Sequence, residues 1–165
     1  MGEPSTSTET VVLDFFNEKY RSYLEDYYLS EDQVKFTAHP LDALLACKKD
    51  PTRFPVVIFY NDLPAGFFVL HGWEGVKEYW DNRAAILLRG YSVNTAFQGR
   101  GIAQKSMALL PEFVKQHFPD RNEIILSVNH GNALAQHVYK KSGFVDKGVR
   151  TMGSKGELHI YHMLL

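Results

Sequence analysis

Residues 85–119 constrain this chain more than any other stretch. Their opening run, Ala-Ile-Leu-Leu-Arg-Gly-Tyr-Ser-Val, suits a pleated, half-buried surface and reads as a strand, with Gly90 where such a strand would bend or bulge. From Gly101 onward Ile102, Leu109, Leu110, Phe113 and Val114 recur at helical spacing, with Ser106 filling the same face, so a helix follows. The connection between them is Gln98-Gly99-Arg100-Gly101-Ile102-Ala103. Its glycines let the backbone take φ > 0 and turn several N–H groups toward one point at the start of the helix. The first four amides of a helix lack internal partners, and its dipole places about half a positive charge there, so this connection suits a phosphate. Arg100 adds a cation at the rim, and the small Ala103 keeps the first turn open. A plain strand–turn–helix link is the other reading of the same residues.

Two phosphate motifs are excluded by spacing. A dinucleotide fingerprint needs a small residue where this chain has Gln104, and a P-loop needs Gly-Lys-Ser/Thr, which is absent. What does match is Gln98-x-x-Gly101-x-Ala103, followed after a predicted strand by Asn132-x-x-Ala135-x-x-x-Tyr139 and then Gly143-Phe144. In these two patterns the chain resembles the GCN5-related N-acetyltransferases (GNAT). The resemblance covers residues 85–144.

That resemblance implies an α+β fold of GNAT type, with a V-shaped splay between the fourth and fifth strands of the central sheet. It implies that backbone groups of Tyr91 and Val93 pair with the pantetheine arm of acetyl-coenzyme A. Gln98, Gly99, Arg100, Gly101, Ile102 and Ala103 would hold its diphosphate, and Asn132, with Ala135 and Tyr139 on the same helix face, would meet the arm from the other wall. Tyr139 becomes the catalytic candidate. A phenol of pKa about 10 can give a proton to a departing thiolate whose own pKa is near about 8.5. The Val93 N–H would polarise the carbonyl.

Along the rest of the chain, residues 1–9 are polar and expected to fray, and 10–15 read as a strand. Phe16, Tyr20, Tyr23, Leu24, Tyr27 and Tyr28 follow helical spacing and predict a helix with one aromatic face. Core packing explains that face; a cation pocket with Glu25, Asp26, Glu31 and Asp32 is the sharper alternative. His39-Pro40 starts a helix that Asp50-Pro51 stops. Residues 55–60 and 65–71 predict a hairpin around Asn61-Asp62-Leu63-Pro64, while 72–82 read equally as a lid, a short helix or an edge strand. Pro111 should kink or divide its helix near Ala108. A strand at 123–128, a helix capped by Asn132 and ended by Gly143, and two last strands around Gly153-Ser154-Lys155-Gly156 complete the order βααβββαβαββ. Helices interleaved in a mostly antiparallel sheet make this α+β.

Composition bounds the function. A chain of 165 residues with 45% hydrophobic and 22% charged residues predicts one domain spanning 1–165. The formal charge of −1 argues against a nucleic-acid partner. Cys47, the single cysteine, permits no internal disulfide, and no run is long and apolar enough for a membrane span, so the expected setting is cytoplasmic with no membrane partner. The histidines lack ligand spacing, and no metal is expected. Oligomeric state, a homodimer among the options, is left open.

The reaction the resemblance implies is acetyl transfer from acetyl-coenzyme A to the primary amine of a small molecule, by direct attack in a ternary complex. A polyamine-like acceptor would suit the acidic and aromatic residues of the first half. A protein or peptide amine, or a non-catalytic acyl-coenzyme A sensor, are the alternatives. An alkylammonium of pKa about 10.4 is neutral about once in two thousand at pH 7, a deficit of roughly 4 to 5 kcal/mol, so a base is wanted. Glu74, Glu78, Asp81, Glu25 and Asp26 are candidates, and the central strand itself carries no acid.

Overall fold

Residues 53–60, 63–71, 85–93 and 123–129 carry near-unbroken apolar runs, and strands of that kind need cover on both faces. The computed structural model, which describes residues 9–165, gives them that cover. Strands β1 (Val11–Phe15), β2 (Arg53–Tyr60), β3 (Leu63–His71), β4 (Ala85–Val93), β5 (Glu123–Asn129), β6 (Val145–Gly153) and β7 (Gly156–Leu164) form one sheet in the order β1-β2-β3-β4-β5-β7-β6. Every neighbouring pair is antiparallel except β4 and β5. The expected GNAT-like α+β architecture is found.

Alternation along β4 sorts the core. Ile86 and Leu88 face a cluster with Ile102, Leu110 and Val114 of helix α5 (Ile102–His117), against which Ala135 and Tyr139 of α6 (Ala133–Lys141) also pack. Ala85 and Leu87 face the opposite side, toward Val76 of the short helix α4 (Trp73–Val76). Leu24 of α1 (Arg21–Glu25) and Leu44 of α3 (Pro40–Lys49) close that second face further along the sheet. No helix among the described residues is long and apolar enough to cross a membrane.

Several local expectations are corrected. The single aromatic helix from Phe16 is instead a 3-10 turn at Glu18–Tyr20, then α1, then a separate α2 (Glu31–Phe36) whose first turn is capped by Ser30. Tertiary bonds break it: the Tyr27 phenol meets Ser92 Oγ at 2.7 Å, and the Tyr28 carbonyl accepts from the Thr95 N–H at 2.9 Å. The hairpin of β2 and β3 turns on Asn61 and Asp62 alone, both at positive φ (47° and 70°), a tight turn these short polar side chains tolerate. Leu63 and Pro64 belong to the strand. Helix α5 runs undivided through Pro111, with Leu110, Phe113 and Val114 buried on either side of the lost backbone bond. Of the three readings of residues 72–82, the short helix is found, its Val76 fully buried. The expectation of fraying falls outside the described residues except at Glu9, which accepts from the Tyr60 phenol at 2.7 Å.

The β4–β5 pairing positions everything that follows. It runs only from Ala85↔Glu123 to Leu88↔Leu126. Beyond it Gly90 sits at φ +64°, and the register with β3 shifts between Phe67 and Val69, so β4 bulges away and the strands part. At the paired end Glu123, almost fully buried, accepts from Trp80 Nε1 and Asn82 Nδ2 at 2.9 Å each and from His162 Nδ1 at 2.8 Å.

Candidate active site

The first feature of the opened end is the start of α5. Gly99 and Gly101 adopt φ of +83° and +72°, and a side chain at either would meet nothing within 4 Å, so glycine is required there by conformation rather than by space. No side chain caps the helix, and its first turn holds no acid. Its leading amides are therefore left for an anion. Arg100 is held at the rim over the rings of Tyr60 and Phe97, 5.6 and 5.7 Å from their centroids.

From this point a cavity of about 400 Å³ runs into the splay. Of the residues expected to bind the cofactor, it brings together Tyr91, Val93, Gln98, Gly99, Gly101, Ile102, Ala103, Asn132, Ala135 and Tyr139. Arg100 is outside its lining. Asn132 caps α6 as expected, its Oδ1 accepting from the Ala135 N–H at 3.2 Å.

Backbone direction along β4 follows from one bond. The Asn94 N–H reaches back to the Ala65 carbonyl at 2.8 Å, so the amide groups of Val93 point the other way, into the splay. There they meet a residue that no sequence signal marked. Gln33 of α2 donates its Nε2 to the Val93 carbonyl and accepts the Val93 N–H at its Oε1, both at 3.0 Å. Its carboxamide docks on the strand edge as another strand would.

Tyr139 stands where α6 faces the gap. Its ring packs edge-on against Tyr91 at 6.4 Å and Phe144 at 6.0 Å. Burial pushes its phenol up to about 12, so it stays protonated at neutral pH. The neighbouring Tyr91 phenol is already engaged with Ser106 Oγ at 2.6 Å.

Behind Tyr139 lies a second cavity of about 500 Å³, which also touches Thr37, Tyr91, Asn132 and Ala135 and reaches Tyr79, Arg89, Ser127, Asn129 and Lys155. The acids named as base or cation-pocket candidates do not gather here. Glu25, Asp26, Glu31, Glu74, Glu78 and Asp81 are exposed and line neither cavity; Glu74 is paired with Lys77 at 2.6 Å, and Asp32 lines only the first cavity. Arg89, a basic residue in the strand otherwise apolar up to it, is the feature the sequence offered for this cavity.

Comparison with known proteins gives the family and the fold. Residues 14–144 match the acetyltransferase (GNAT) family. A protein of Bacillus subtilis (strain 168), named uncharacterized N-acetyltransferase YbbJ, is 42% identical over 96% of this chain and 99% of its own length. The fold is shared with the aminoglycoside acetyltransferase AAC(6')-Ib, solved with paromomycin and acetyl-coenzyme A, at TM-score 0.75 and 17% identity over 94% of this chain and 93% of that one. It is shared too with the Salmonella typhimurium acetyl transferase that modifies the N-terminal serine of ribosomal protein L7/L12, at TM-score 0.66 and 16% identity over 94% and 95%.

Proposed function

The chain belongs to the acetyltransferase (GNAT) family, and from that premise we propose that it acetylates the primary amine of a small molecule, with both substrates held at once on either side of Tyr139. The observation that carries the proposal is that Tyr139 lines both cavities, one starting at an uncapped helix and the other lined by none of the loop residues Gln98 to Ala103.

The residues fit acetyl-coenzyme A. The amides of Gly99, Arg100, Gly101 and Ile102 would take its diphosphate, Val93 and Tyr91 its pantetheine amides, and Asn132 the same arm from α6. When bound, it supplies an acetyl group activated as a thioester, which the amine takes as a nitrogen–carbon bond forms and the carbon–sulfur bond breaks. Tyr139 holds the proton that the departing sulfur needs. The ammonium proton of the acceptor leaves to water in the second cavity, because no carboxylate lines it among the described residues.

Two of the solved structures that share this fold come from enzymes whose acceptors differ, an aminoglycoside and a protein N-terminus. For this chain the polyamine-like version of the acceptor lacks the acids it would need in the second cavity. That same lack of a base is what favours the non-catalytic sensor reading. The test is incubation with acetyl-coenzyme A and a panel of amines, with free thiol measured. Thiol release with a small amine supports the proposal, and saturable cofactor binding without release across the panel supports the sensor.

A further inference from the structure

The second cavity is bordered by a cation that forms no ion pair among the described residues. Arg89 is half-buried on β4 and lines the cavity. The structure gives its guanidinium one hydrogen bond among the described residues, from Nη1 to His71 Nδ1 at 3.2 Å, and no ion pair. Its environment is arranged to keep it so. His71, almost fully buried, receives that bond on Nδ1 and therefore carries its own hydrogen on Nε2, which it donates to Asp50 Oδ2 at 2.9 Å. Asp50 is further occupied by the N–H and hydroxyl of Thr52, at 2.9 and 2.6 Å, and by Arg53 Nε at 3.5 Å. A neutral imidazole thus stands between Arg89 and the nearest shared carboxylate. Glu78 acts on Arg89 only at a distance.

A second cation reaches the same cavity from another element. Lys155, in the turn between β6 and β7, lines it, and its ammonium donates to the backbone carbonyl of Lys35 at the end of α2. The turn is held in place by Asn129, whose Nδ2 donates to the Lys155 carbonyl at 3.0 Å. Among the described residues, two positive groups and no carboxylate border a space where an ammonium-bearing substrate has to enter. A half-buried charge that is not paired is costly, and a guanidinium with free fork positions is suited to a planar anion.

Resting on the transferase reading above, we propose that the acceptor is an amine that also carries an anionic group, a carboxylate or a phosphate ester, bound by Arg89 and steered by Lys155. His71 is a positioning residue: it fixes the guanidinium and touches no substrate.

The experiment is a set of matched acceptors: amines bearing a carboxylate, the same amines with it removed or amidated, and amines bearing a phosphate ester. Acetyl-coenzyme A binding is measured separately by calorimetry. The wild type should prefer one of the anionic members over its neutral counterpart by about tenfold or more in kcat/KM, and which anion wins identifies the source. Arg89→Gln should remove that preference through KM, leaving the neutral amine and cofactor affinity within about twofold, and Arg89→Lys should restore part of it. Lys155→Gln, at an exposed turn, should weaken the same preference while costing the fold no more than the one surface bond to the Lys35 carbonyl. Equal use of matched acceptors by the wild type, or an equal loss for both in Arg89→Gln, overturns the proposal while the transferase reading stands. Failure of the wild type to bind acetyl-coenzyme A removes the reading beneath it as well.

Discussion

The β4–β5 pair has a closed end and an open end, and the two are built by opposite means. At the closed end, four residue pairs from Ala85↔Glu123 to Leu88↔Leu126 are in register, and the buried Glu123 gathers Trp80, Asn82 and His162 around it. Side chains from distant segments do the locking. At the open end Gly90 bends β4 away, Gly99 and Gly101 turn the backbone through positive φ, and main-chain amides are left facing a gap. Under the proposed function the contrast separates roles: the closed end is expected to contribute stability, and the open end binding and turnover. Variants at each end should therefore move different observables.

The largest effect is expected at Gly101. Aspartate is among the residues that tolerate a positive φ, and no neighbour within 4 Å blocks its side chain, so Gly101→Asp should fold. Its carboxylate would then sit at the uncapped start of α5, satisfy the amides we propose for the diphosphate and repel that group, a like-charge contact worth several kcal/mol. Calorimetry should show acetyl-coenzyme A affinity falling by about 1,000-fold. Unchanged affinity would place the diphosphate elsewhere and dissolve the open end as a binding site. Tyr139→Phe comes next, with turnover reduced by about 100-fold and cofactor affinity nearly unaltered. A turnover number equal to wild type would discard the phenol as proton donor.

The closed end should answer differently. Burial works against ionisation of Glu123, yet the hydrogen bonds from Asn82, His162 and Trp80 outweigh it and hold the carboxyl below its ordinary 4.5. A depressed carboxyl contributes stability that is fully present above its unfolded value and is lost as pH falls through the folded one. Glu123→Gln removes that acid-side dependence. Its NH2 must then face either the donors Trp80 Nε1 and Asn82 Nδ2 or His162 Nδ1, and the second arrangement forces the imidazole hydrogen onto Nε2, which is buried and without a partner among the described residues. A cost of about 2 kcal/mol in denaturant unfolding at neutral pH is expected, with cofactor affinity preserved. A loss of affinity without a loss of stability would reverse the assignment of the two ends.

The two ends were also unequally legible. Recognition by main-chain amides leaves its mark in sequence because only glycine and small residues permit it, so Gln98, Gly101 and Ala103 stand at fixed spacing, and Asn132 and Tyr139 follow on one helix face. The α+β order of elements was readable for the same reason, from periodicity and caps. Glu123 with Trp80 and His162, by contrast, joins residues 43 and 39 positions apart, and nothing local marks them. The break between α1 and α2 was hidden in the same way, since bonds from Tyr27 to Ser92 and from Thr95 to Tyr28 override the helical spacing of the aromatic residues. Acids chosen for proximity in sequence, such as Glu25 and Glu78, turned out to lie outside the cavities, because α1 and the turn after α4 carry them to the surface.

Gln33 tests the open end most finely, because it makes with Val93 the bonds that a pantetheine amide would make there. If the cofactor pairs with Val93, the Gln33 carboxamide has to leave first, and the two bonds it breaks subtract from the affinity observed. Gln33→Ala exposes the Val93 groups to water in the free protein, where they are released more cheaply than from a docked side chain. Acetyl-coenzyme A should then bind about fivefold more tightly, a change of the size one modest hydrogen bond contributes. The thermal midpoint should fall slightly, as the free protein loses a tie between α2 and β4. Weaker binding in Gln33→Ala would mean instead that the carboxamide swings onto the cofactor and belongs to its site, and the pairing edge at Val93 would then have to be shared by both.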